Sequence, residues 1–82
     1  MPRYFFHVHD GVSFPDDEGT ELRDLHAARA AAVTMSGEML KANTHDFWQG
    51  DEWKMDVTDE TGMILFTLMF MAISAPDTER AR

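Results

Sequence analysis

Alternating and periodic runs of apolar residues divide this chain into a few clear elements. Residues Arg3 to His9 (RYFFHVH) are aromatic and β-branched, as strands prefer. Tyr4, Phe6 and Val8 fall on one face, and Arg3, Phe5, His7 and His9 on the other. Asp10-Gly11 follows directly, a hairpin-turn signal, and predicts a short return strand Val12-Ser13-Phe14 that ends at Pro15. Asp16 to Thr20 reads as an acidic loop. Asp24 is placed to cap a helix from about Leu25 to Ala42, with Leu25, Ala28, Ala32, Met35 and Met39 as its apolar stripe. Gly37 inside it marks a close contact or a weakening of the last turns. Asn43-Thr44 ends the helix, and His45 to Asp51 reads as a loop. Glu52 to Thr58 alternates again, with Trp53, Met55 and Val57 inward. Asp59 to Gly62 forms a turn, and a last strand covers Met63 to about Ala72.

This order, β-β-α-β-β, predicts one α+β domain over residues 1–75 and a frayed polar tail over 76–82. The expected sheet is antiparallel, three- or four-stranded, with one helix on one face. The last strand does not suit a simple monomer, because it is apolar on both faces. Ile64, Phe66, Leu68 and Phe70 form one face and Met63, Leu65, Met69 and Met71 the other, with Thr67 the polar member. One helix covers one face. The Leu/Met set, joined by Phe5, is therefore expected to stay open and to form a homodimer interface. The alternative is that Phe47-Trp48 or the chain ends fold over it.

Composition narrows the function classes. An 82-residue chain buries only roughly 60–65% of its unfolded surface, so its core is small. It has no cysteine, which removes disulfides, thiolate metal sites and a cysteine nucleophile. Its formal charge is -8, from fifteen acidic and seven basic side chains. That charge disfavours nucleic acid and anionic membranes and would steer a basic protein partner toward it. The start of the chain carries no signal-peptide pattern, and the longest apolar stretch is about half the ~20 residues of a spanning helix. The expectation is a cytoplasmic protein.

Candidate chemistry is sparse. His7 and His9 share a strand face, so His7, His9 and Asp10 are the candidate metal ligands, completed by Asp16, Glu18 or His45. The plainer reading makes them half-exposed outer-face and turn residues. The acidic loop Asp16–Glu18 lacks the ligand spacing of an EF-hand. Ser13, Ser36 and Ser74 sit in no nucleophile elbow, and the five glycines form no phosphate-binding loop. Trp53 alternates with core positions, and Trp48 is expected to cap the core. The expectation is therefore no enzyme, no cofactor and no catalytic residue.

Three segments carry a resemblance. RYFFHVHDG at the start, D-x-E-G-T-E-L before the helix and W-K-M-D-V-T-D-E-T-G before the last strand resemble a family of short proteobacterial proteins known as a domain of unknown function. The resemblance spans about residues 3 to 72 and implies a stand-alone cytosolic protein with no assigned activity, cofactor or catalytic residue. Pro15-Asp16-Asp17-Glu18-Gly19 and the helix after Asp24 are also similar, over about a third of the chain, to HicB-type antitoxins. That similarity implies an acidic domain masking a small basic partner, but the chain lacks a DNA-binding extension. The sequence thus leads to a non-enzymatic interaction or regulatory module, expected to be homodimeric. An antitoxin-like protein and a metal-binding protein using His7 and His9 are the alternatives.

Overall fold

The alternation at the start of the chain becomes strand β1 (Arg3–His9), in which Tyr4, Phe6 and Val8 are buried and the intervening residues half-buried. The computed structural model describes residues 1–76. After β1 come β2 (Ser13–Phe14), β3 (Thr20–Glu21), α1 (Leu25–Ala42), α2 (Thr44–Gly50), β4 (Glu52–Thr58) and β5 (Ile64–Met71). The fold is α+β as expected, but the described residues form five strands and two helices rather than three or four strands and one helix. The expected fraying from Pro76 falls almost wholly on 77–82, outside the described residues.

All strand pairs are antiparallel, in the order β2-β1-β4-β5, with β3 also on β1. β2 and β3 share one edge of β1. β2 pairs at Val8 and His9, and β3 pairs at Arg3 and Tyr4. The Leu22 amide extends the β3 end by donating to the Pro2 carbonyl at 3.0 Å. Between the two short strands the Phe6 N–H faces a gap in the ladder. The Asp16 carboxylate fills that gap, accepting from the Phe6 amide at 3.1 Å. An unmet, partly buried backbone donor would be costly, so one side chain replaces a strand's carbonyl here.

The acidic loop is therefore a piece of sheet edge. The other Asp16 oxygen accepts from the Glu18 amide at 3.1 Å and the Gly19 amide at 3.0 Å, folding the loop back on itself. Gly19 has φ +72, and a Cβ there would lie 2.8 Å from both the Arg3 and the Phe5 side chains. Only glycine fits this conformation and this space.

α1 begins where expected. Asp24 caps it by accepting from the Ala27 amide at 2.8 Å. Ala28, Ala32 and Ser36 form the buried line four residues apart, and Leu25, Met35 and Met39 pack beside it. The Ser36 hydroxyl donates to the Met55 sulfur at 3.7 Å, which satisfies it inside the core. Gly37, expected to mark a close contact or a weakened turn, lies on the exposed side with open space around it, in a helix that continues to Ala42.

The segment read as a loop after α1 is instead α2. Asn43 closes α1 through its amide side chain on the Met39 carbonyl, 2.9 Å, and its own carbonyl then accepts from the Phe47 amide at 3.0 Å. Phe47 is buried against the core. That single anchored aromatic holds a seven-residue helix with too little apolar periodicity to announce itself.

β4 occupies Glu52–Thr58 as expected and is central, with Trp53, Met55 and Val57 buried. β5 is shorter than expected at both ends. A register shift between Val57 and Thr58 pairs Thr58 with Ile64 but Val57 with Phe66. Directly paired residues share a face, so this bulge moves Ile64 off the face held by Phe66, Leu68 and Phe70. Leu65, within the bulge, is half-buried and packs against the core.

Candidate functional site

Both helices pack on one face of the sheet. The other face is polar at its centre. His7 lies opposite Asp56, and Asp56 opposite Thr67. The His7 Nδ1 accepts from the Asp16 amide at 3.0 Å, which assigns the proton to Nε2, and Nε2–H donates to the Thr58 hydroxyl at 3.2 Å. Phe5 stacks parallel to His7 with ring centroids 6.4 Å apart. Through Asp16 the inner and outer faces of this corner are tied together.

His9 links a second set. Its Nε2 lies 3.2 Å from an Asp56 oxygen and its Nδ1 3.0 Å from the Ser13 hydroxyl. The Thr67 hydroxyl donates to the other Asp56 oxygen at 2.7 Å. Serine, histidine and aspartate thus stand in a row, the order of a hydrolase relay. Here the serine and histidine are the two arms of one hairpin, paired directly across β1 and β2, and the same aspartate is held by a threonine from β5. The row pins the hairpin to β4 and β5, and it reads as a structural clamp.

The candidate metal residues are placed apart. His7 and His9 share the outer face, as their spacing requires, and both ring nitrogens of each are engaged. Asp10 lies in the turn after β1, Asp16 is committed to three amides, Glu18 is exposed, and His45 sits on α2 beside Gln49. Among the described residues no group of three His, Asp or Glu is gathered where it could hold a metal ion. Among the described residues no helix is long and apolar enough to cross a membrane.

Asp16 has a lowered pKa. Burial raises it, but the amides of Gly19, Phe6 and Glu18 outweigh burial and hold the carboxyl below its usual range. Asp59 is lowered as well, first by the Thr61 hydroxyl at 2.6 Å and then by amides of the turn it caps.

The remaining open feature is β5. It is an edge strand, paired with β4 on one side, and it stays exposed on both faces. Ile64, Met69, Phe70 and Met71 are 51–56% exposed, flanked by Met63 at 63% and Ile73 at 89%. On the helix side Phe70 meets Phe47, centroids 5.2 Å apart, and Phe47 meets Trp48 edge-on at 5.5 Å. Phe47 therefore caps the core. Trp48, expected to do so, is 60% exposed and extends the apolar surface from Phe70 onto α2. Phe5 lies two strands away, in line with Thr58 and Ile64, with its ring packed at Gly19. The sequence marked β5 through its two-sided apolarity. It placed Trp48 over the core rather than on the open surface, because a loop reading assigns that residue no face.

These features define a small α+β domain with a split sheet edge on one side and an open apolar strand on the other. The chain belongs to the family described as a domain of unknown function (DUF6894), whose model matches residues 3–71. No curated protein and no solved structure matches it. The segments that carry the resemblance are now explained by the fold. Tyr4, Phe6, Val8, Trp53, Met55 and Val57 form the core, Asp16 and Gly19 complete the sheet edge, and Asp59 and Gly62 build the last turn.

Proposed function

We propose that this domain is a non-enzymatic interaction module that works as a homodimer, joined through the β5 edge into one continuous sheet. The observation that carries the reading is an eight-residue edge strand that is apolar and exposed on both faces. Proteins usually blunt such edges with charge, proline or a covering element. Here Met63 through Ala75 contains no charged residue, in a chain of net charge -8. Two copies of so acidic a chain approach with least repulsion along a charge-free strip. Antiparallel pairing about a twofold axis is also self-complementary, because it sets like faces together. Met63, Ile64, Met69, Phe70 and Met71 all keep more than half of their surface exposed beside the strand backbone, so apolar area is available along the whole edge.

Analytical ultracentrifugation tests this directly. The wild-type chain is expected at twice its 9.4 kDa mass at high micromolar concentration. Met69→Lys with Met71→Lys is expected to give a folded monomer, since both side chains are exposed within the single chain. A wild-type monomer at that concentration would refute the proposal, as would a double variant that is folded and still dimeric.

A further inference from the structure

We propose that the cleft between α1 and the split sheet edge binds a small organic cation, an ammonium group carried on an aromatic or branched apolar body. The cleft lies on the helix side of the sheet, at the edge opposite β5, and is a space of about 720 Å³ open to solvent. That is within the usual range for small-molecule sites, roughly 300–1,000 Å³. Its origin is the split edge. β2 and β3 are two residues each, so the sheet offers the last turns of α1 little to pack on, and Met35 and Met39 stand over a gap. The floor is apolar, built by Phe6, Val8 and Trp53 of the core.

The lining decides the charge of the occupant. Four of its residues carry carboxylates, Asp10, Asp16, Glu18 and Asp46, and no lysine, arginine or histidine is among its described members. Asp16 is spent on backbone amides. Asp10, Glu18 and Asp46 enter no ion pair among the described residues, and they reach the lining from three separate segments. An anion would face these carboxylates and the field of the whole chain, whereas a cation is attracted by both. A fully hydrated metal ion would gain nothing from the apolar floor. An ammonium with an apolar body uses the apolar floor and the carboxylates of the lining together.

The test compares three shape-matched probes, tryptamine, the neutral 3-methylindole and the anionic indole-3-propionate, by NMR of the methionine methyl groups. Tryptamine is expected to shift the Met35 and Met39 signals saturably, leaving Met69 and Met71 unmoved. The neutral and anionic probes are expected to bind at least about tenfold more weakly, the scale of one or two close carboxylates. Asp10→Asn with Glu18→Gln, which leaves backbone and core intact, is expected to weaken tryptamine several-fold. The proposal fails if no saturable shift occurs, if the three probes bind alike, or if the variant binds tryptamine as the wild type does. Shifts confined to Met69 and Met71 would place binding at the β5 edge and also overturn it. Dimerisation is read at that other edge, so the two proposals fail independently.

Discussion

Replacing Asp16 with alanine tests whether a single side chain completes the sheet. The substitution removes acceptors for the Phe6 amide at 3.1 Å, the Glu18 amide at 3.1 Å and the Gly19 amide at 3.0 Å. A hydrogen bond to a charged group contributes about 1.5–3 kcal/mol, with exposed examples at the low end because water substitutes. The Glu18 amide is exposed, so most of the loss falls on the part-buried amides of Gly19 and Phe6, the latter then facing the gap between β2 and β3 without a carboxylate. The expected net loss is about 2–3 kcal/mol. With a urea slope of about 1 kcal/mol/M for a chain this small, the midpoint should fall by about 2–3 M. Protein concentration must be held fixed, since dimerisation would add to apparent stability. The pH dependence gives a second reading. The folded-state pKa of Asp16 lies below that of an ordinary aspartate, so its contribution is fully present above the unfolded value. It is lost as pH falls through the depressed folded value. The gap between wild type and variant should therefore hold from neutrality to about pH 5 and close in stronger acid. A midpoint shift below about 0.5 M would refute the reasoning, and so would a gap unchanged to the lowest pH at which the protein folds.

Two glycines predict opposite outcomes in the same urea assay. Gly19→Ala should destabilise by more than about 1 kcal/mol, because φ is +72 and the new methyl meets Arg3 and Phe5 at 2.8 Å. Gly37→Ala should stabilise by up to about 1 kcal/mol, since it lies in a helix interior with open space around it. Met55→Ala should cost about 2–5 kcal/mol, because Met55 is fully buried beneath α1 and also accepts from Ser36. Phe47→Ala should release α2 with a loss of about 3 kcal/mol or more, read as faster amide exchange over Thr44–Gly50.

The sequence by itself determined the parts whose signal is local. Alternation at Tyr4, Phe6 and Val8, and at Trp53, Met55 and Val57, placed the two inner strands and their buried faces. The alanine-rich stripe and Asp24 placed α1 and its cap, because capping and helical periodicity act within a few positions. Two-sided apolarity marked the last strand as exposed before any partner strand was known. What depends on residues distant in the chain was decided only by tertiary structure. Thr20–Glu21 is too short to read as a strand, and it becomes one because Arg3 and Tyr4 offer it a ladder. α2 exists because the core provides a place for Phe47. Asp16 looks like one acid among fifteen, and its role follows from a break in pairing ten residues earlier on β1. The bulge that turns Ile64 arises from the register of β5 against β4, which no local pattern encodes. The cleft has the same origin, since Asp10, Glu18 and Asp46 come to line one space only after sheet and helices have packed. Local propensity fixes elements, whereas sites form where separate elements fail to cover one another.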